Sequence, residues 1–253
     1  MAQRIPDPED LKEKALEIHR RLCREYGCPI AYFHDHDPLS ELISSLLSHR
    51  TRNQDSGRAF QALRRTYPTW ETLRDAPTAE VETLIKGVTW PEQKAPRIQA
   101  VLRAITERHG TLALDFLDEL PVPEARAWLE QIPGIGPKTS AAVLSFSRLR
   151  KAALPVDSHH HRVAQRTGLI PRTMDVGPAH VALAALLPPE WDAQTVYDDH
   201  EVLMLHGQRC CYFRNPACRR CVLLDLCPTG QALKAQSFGT ERTSAEHPAP
   251  PAA

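Results

Sequence analysis

The sequence predicts an all-α protein, on three observations. Apolar side chains recur at three- and four-residue spacing through most of the chain, β-branched runs with strict alternation are nearly absent, and the periodic stretches are separated by short polar joints. The first stretch, LKEKALEIHRRLCREYG, is helical in spacing and stops at Gly27, a residue suited to a helix end. LSELISSLLSH and AFQALRRTY repeat the pattern, and further helices are expected over 78–86, 93–108, 124–131, 138–148, 158–167, 177–186 and 195–206. The first eight residues and the segment from 229, ending in EHPAPPAA, lack a periodic apolar face and read as loose tails.

With 253 residues the chain can bury a core without cross-links. Seven cysteines, and no basic leader followed by an apolar run, point away from a disulfide framework and from secretion; Cys23 and Cys28 read as a buried helix thiol and a loop thiol. No apolar stretch approaches the roughly 20 residues that cross a bilayer. A soluble, cytoplasmic protein with no membrane partner is expected, a monomer by default. The 31 basic and 31 acidic side chains balance, but unevenly along the chain. From Lys138 to Arg172 seven Lys or Arg residues meet only Asp157, and Arg209, Arg214, Arg219 and Arg220 crowd the cysteines. One basic face bound to a polyanion would use such a distribution; solvated helix faces would give it too.

LEQIPGIGPKTSAAVLSF, residues 129–146, reads as helix, hairpin, helix. Gly134 and Gly136 allow a tight turn and close backbone approach, so that exposed N–H groups can take a phosphate oxygen, and Pro137 suits a first helical position. Ile132 and Ile135 are expected to anchor the turn. Lys138 then stands at the positive end of a helix dipole, which disfavours its protonated form and leaves an amine able to attack a sugar C1′. A surface lysine meeting phosphate is the other reading. Nineteen residues on, PVDSHHHRVAQRTG places Asp157 before a basic helix. It suits an N-cap, or a carboxylate that stabilises positive charge on a sugar. Of His159, His160 and His161, which point different ways around a helix, His159 is the candidate DNA contact.

Cys211, Cys218, Cys221 and Cys227 are spaced by six, two and five residues, with Cys210 adjacent. Four thiolates serve tetrahedral zinc or a [4Fe-4S] cluster, and the single close pair, Cys218 and Cys221, favours the cluster.

Together these segments resemble the endonuclease III family of DNA glycosylases, in the helix-hairpin-helix glycosylase superfamily. LLSHRTRN looks like its first active-site helix and loop, IPGIGPKTSAAV like its hairpin, PVDSHHHRV like its aspartate segment, and CX6CX2CX5C like its iron–sulfur signature. The resemblance implies a two-lobed fold with residues 38–150 as a central helical lobe ending in the hairpin. Residues 1–37 would pack with the cluster lobe, 151–228 would complete it with the [4Fe-4S] loop, and 229–253 would be a flexible tail. It implies Lys138 as Schiff-base nucleophile, Asp157 as catalytic carboxylate, and the four cysteines as cluster ligands. Oxidised pyrimidines would be excised from duplex DNA and the abasic strand cut by β-elimination. DNA contacts are expected from His49, Arg50, Trp90, Gly134, Gly136, His159, Arg162 and Arg214, and a nucleoid location follows if the source is bacterial.

Two positions depart from the family pattern. Arg50, preceded by His49, stands where the family often has a glutamine that fills the gap left by the extruded base; Trp90 and Pro91 make a bulky version of a segment next to the lesion pocket, with Trp90 either a stacking residue or a packed loop aromatic. These leave open a mismatch-specific uracil or thymine glycosylase, and a DNA-binding paralogue with little catalysis.

Overall fold

The computed structural model describes residues 7–243, with side chains through residue 236. Twelve α-helices and three 3-10 turns account for the regular structure among the described residues. The α-helices fall into two compact units.

One unit comprises residues 31–155 and 191–197. It contains α2 (Pro38–Ser48), α3 (Asn53–Thr66), α4 (Trp70–Asp75), α5 (Thr78–Leu84), α6 (Pro91–His109), α7 (Val122–Glu130) and α8 (Pro137–Phe146). Asp37 starts α2, its carboxylate accepting from the N–H groups of Leu39 and Ser40, with Pro38 in the first turn where a missing N–H is harmless. α2 packs on both α3 and α8, and α6 on α4 and α5. Leu42, Ile43, Leu47, Leu73, Ile98 and Leu144 are fully buried in one core, each contributing roughly 1.5–3 kcal/mol of burial. The short α4 was outside the expected helices, six residues being too few to show a period.

The other unit comprises residues 1–30, 156–190 and 198–253. It contains α1 (Pro8–Tyr26), α9 (Ser158–Thr167), α10 (Val176–Ala184) and α12 (Pro228–Thr243), and the larger part of α11 (Ala193–Arg209). Both α10 and α12 pack on α9. The expected division placed residues 31–37 and 151–155 differently and did not foresee that residues 191–197 belong with the central unit. The segment from 229, expected as a tail, is helical as far as Thr243; its periodicity is weak because Gly and polar residues fill the turns, and packing on α9 supports it. The remainder of that expected tail lies outside the described residues, as do residues 1–6.

Cys23 and Cys28, expected as separate thiols, are bonded to each other with Cα atoms 5.1 Å apart. The chain turns back at Gly27, with φ 84° and its N–H on Cys23 O, so a separation of five residues suffices.

Candidate active site, DNA-facing loop and metal centre

The hairpin fixes the start of α8. Ile135 N–H donates to Ile132 O at 3.0 Å, and both side chains are buried. Gly134 has φ 96°, a conformation other residues rarely adopt, and a Cβ there would meet the Arg97 stem at 3.4 Å. Gly136 caps α8 and Pro137 opens it. Ser140 Oγ donates to Glu130 Oε1 at 2.6 Å, tying α8 back to α7. Lys138 is thereby held at the second position of α8, half-buried, its ammonium 5.9 Å from the Phe146 ring centroid.

A buried acid within range of Lys138 was not read from the sequence. Glu41 on α2 is 3% exposed. Its Oε1 accepts from Ser45 Oγ at 3.0 Å, while Oε2 sits 3.3 Å from His34 Nε2 without a hydrogen bond. Burial pushes the Glu41 carboxyl up to about 7, against the opposing pull of Ser45, Lys138 and Arg150. Burial likewise pushes His34 down to about 4, helped by His36 and Arg150. An acid at an otherwise apolar position of ELISSLL was the available signal.

Next to it is a clipped loop. Lys94 is buried and donates to Leu47 O at 2.6 Å, His49 O at 2.8 Å and Thr51 Oγ1 at 2.8 Å. Burial pushes its pKa down to about 8. Thr89 N–H donates to Thr51 Oγ1 at 3.1 Å, and Thr89 Oγ1 to Arg50 O at 2.9 Å. These bonds hold Arg50 and Trp90 with φ of 53° and 56°, left-handed positions that cost roughly 1 kcal/mol or more each. The Arg50 guanidinium lies 5.6 Å from the Trp90 ring centroid, and Trp90 is 41% exposed. Burial lowers the pKa of His49, and Lys94, Arg50, Lys138 and Arg97 lower it further. The structure thus brings His49, Arg50 and Trp90 onto one exposed rim whose charges are felt together with Lys138; Lys94, which clips the rim, escaped the sequence reading.

In the other unit, Asp157 caps α9: Oδ1 accepts from His159 N–H at 2.9 Å and His160 N–H at 2.7 Å. It is half-buried. His160 is fully buried, which pushes its pKa down to about 4, and His161 Nε2 contacts Met174 O at 2.9 Å. α9 and α11 approach so closely that a Cβ on Gly207 would lie 2.7 Å from His159 Cβ. Arg162, expected to touch DNA, is turned inward instead. Its Nε–H donates to Cys211 O at 3.0 Å and an NH2 hydrogen to Gly207 O at 2.8 Å, with His159 Nδ1 at 3.0 Å. A guanidinium presents five donors, and the carbonyls of Ser158 on α9, Gly207 on α11 and Cys211 just beyond it each take one.

Cys210, Cys211, Cys218, Cys221 and Cys227 line one open-sided pocket, together with Arg166 and His206. Arg166 donates to Cys211 Sγ at 3.3 Å and Gly230 N–H to Cys227 Sγ at 3.3 Å, so donors already point at sulfur. Burial pushes the thiols of Cys218, Cys221 and Cys227 up, Cys221 to about 12; a bound cationic centre would hold them as thiolates. His206, Cys210 and Cys221 bring ligand atoms within 4.8 Å of one another, and this His/Cys cluster can hold a metal. Tyr26 Oη lies 3.0 Å from His206 Nδ1, which leaves Nε2 3.4 Å from Cys221 Sγ. Cys210, spare by spacing, is therefore part of the sulfur wall, and His206 was missed because its partner Tyr26 is remote in sequence. Arg214 is exposed on the same loop.

Residues 43–189 match the family described as HhH-GPD superfamily base excision DNA repair protein. Endonuclease III of Thermotoga maritima is 32% identical over 86% of this chain and 92% of its own length. A longer Arabidopsis thaliana protein is 30% identical over 78% of this chain, and 65% of that protein is spanned. The chain belongs to the endonuclease III branch of the HhH-GPD superfamily. An endonuclease III solved as a trapped covalent intermediate with DNA superposes with TM-score 0.72, at 23% identity, over 91% of this chain and all of that one. The endonuclease III fold is therefore the frame for the site. Within it, the hairpin Gly134 and Gly136, Lys138, and the rim of His49, Arg50 and Trp90 stand in one unit; Asp157, His159, Arg162, Arg214 and the cysteines stand in the other.

Proposed function

We propose that this protein is a bifunctional DNA glycosylase and AP lyase that excises oxidised pyrimidines from duplex DNA. The observation that carries the reading is the placement of Lys138: second residue of α8, behind a buried-isoleucine hairpin, its charge felt by the buried Glu41 and by His49 on the Arg50 loop. The hairpin N–H groups grip a phosphate, and the target nucleotide leaves the stack. Arg50 fills the vacated space or bonds the unpaired partner base, with Trp90 offering a stacking face. The Lys138 amine adds to C1′ as the C1′–N bond to the base breaks; the nitrogen then gives one proton to the departing base and, as the C1′–O4′ bond opens to form the imine, a second to O4′. Asp157 balances the charge that develops on the sugar. The resulting imine acidifies C2′–H; loss of that proton expels the 3′ oxygen and cuts the strand. Cys211, Cys218, Cys221 and Cys227 hold a [4Fe-4S] cluster, which supplies a rigid cross-link for the loop bearing Arg214. DNA is the only partner this chemistry needs, so the protein works wherever the chromosome lies.

Borohydride trapping on duplexes containing thymine glycol or an abasic site tests the reading. A covalent adduct is expected with the intact protein, absent in Lys138→Ala. Arg50 resting on Trp90 also favours a second reading, a binding protein with a blocked pocket. Tight lesion binding with no trapping by the intact protein would establish that one instead.

A further inference from the structure

α1 carries a sulfur site that the proposed repair chemistry does not use. The two bonded cysteines at its end are not equivalent: Cys28 is exposed, whereas Cys23 is half-buried. Cys23 Sγ lies 3.5 Å from Nε2 of His19, one turn back on the same helix. The other ring nitrogen, Nδ1, is 3.1 Å from Oδ1 of Asp199. Asp199 is 5% exposed and His19 is largely covered, so this contact orients the ring with Nε2 towards sulfur. A carboxylate, an imidazole and a sulfur in line form an arrangement that stabilises a thiolate as it forms. All four residues belong to one unit.

We propose that the Cys23–Cys28 pair is a thiol–disulfide exchange site for low-molecular-weight thiols, with Cys28 as the attacked sulfur and Cys23 as the leaving one. A thiolate RS⁻ attacks Cys28 Sγ from solvent, forming a mixed disulfide as the Cys23–Cys28 bond breaks. The electron pair goes to Cys23 Sγ, which receives through Nε2 of the His19 ring the proton that RSH gave up, while Asp199 holds Nδ1–H. A second thiolate attacks the RS sulfur of the mixed disulfide, releasing Cys28 and RSSR. The net change is one protein disulfide and two RSH to a protein dithiol and RSSR. Exposure favours attack at Cys28, and the His19 contact favours departure of Cys23.

The test uses the full-length, cluster-loaded protein, oxidised and then exposed to reduced glutathione as the probe thiol. Samples are quenched with iodoacetamide, digested, and the peptides bearing Cys23 and Cys28 quantified by mass spectrometry. The transient glutathione adduct is expected on Cys28, with Cys23 alkylated. His19→Phe, and separately Asp199→Asn, should slow reduction by about tenfold, the loss of one charge-assisted hydrogen bond to the departing sulfur. An adduct on Cys23, rates unchanged in both variants, or a pair that stays dithiol in oxidised glutathione would each overturn the proposal. The position of the adduct is measured in the unsubstituted protein, so that result stands whether or not either variant folds.

Discussion

Replacing Glu41 with Gln is expected to raise stability by less than about 1 kcal/mol at pH 5 and by about 3 kcal/mol at pH 8. The Glu41 carboxyl has an ordinary value of 4.5 and is pushed up to about 7 by burial, even with Ser45, Lys138 and Arg150 favouring its charge. Below 4.5 folded and unfolded chains both hold the proton, and ionisation costs nothing. Between 4.5 and 7 the folded chain holds more protons, so stability falls as pH rises; above 7 the full cost applies, about 3 kcal/mol at roughly 1.4 kcal/mol per pH unit. Gln can keep the Ser45 contact without a charge to desolvate. The variant should therefore gain up to about 3 kcal/mol at pH 8, or about 6–12 °C in Tm. His34, pushed down to about 4, is neutral in the folded chain throughout this window, and its contribution cancels between the two proteins. Urea unfolding followed by tryptophan fluorescence is the assay: Trp70, Trp90, Trp128 and Trp191 are the chain's four tryptophans, and all belong to the unit that holds Glu41. An equal change at pH 5 and pH 8, or a variant less stable at pH 8, would refute the reasoning.

Lys94→Met should cost about 2–4 kcal/mol by leaving the carbonyls of Leu47 and His49 without their donor; it should also weaken binding to abasic duplex, measured by fluorescence anisotropy, because the Arg50 rim loses its clip. Cys218→Ser should abolish bound iron and sulfide and the visible absorption of the purified protein, whereas Cys210→Ser should retain them. Arg162→Ala should speed loss of iron to a chelator while leaving the salt dependence of DNA binding nearly unchanged, since its guanidinium holds Gly207 O and Cys211 O. A drop of about one in the salt slope would instead place Arg162 on phosphate.

The hairpin shows what was legible. PGIGPK specifies a turn, a left-handed glycine and a helix start through neighbours in sequence, and the structure has Gly134 at φ 96° with α8 opening at Pro137. Likewise VDSHH encoded a capped helix, which Asp157 supplies with its own carboxylate. Arg162 could not be read this way: an arginine on a basic helix looks the same whether it faces phosphate or, as here, carbonyls 45 and 49 residues away. His206, which stands beside Cys210, was not legible either, because Tyr26, which orients its ring, is 180 residues distant.

The sequence by itself determined most of the helices, the hairpin and the four-cysteine spacing, since each rests on interactions within a turn or a short loop. Only the tertiary structure decided which charges are buried and where they point. Glu41 near neutrality, Lys94 as the clip under Arg50, and His19 between Asp199 and Cys23 all arise where segments remote in the chain exclude water together. Desolvation and hydrogen-bond direction are properties of that packing.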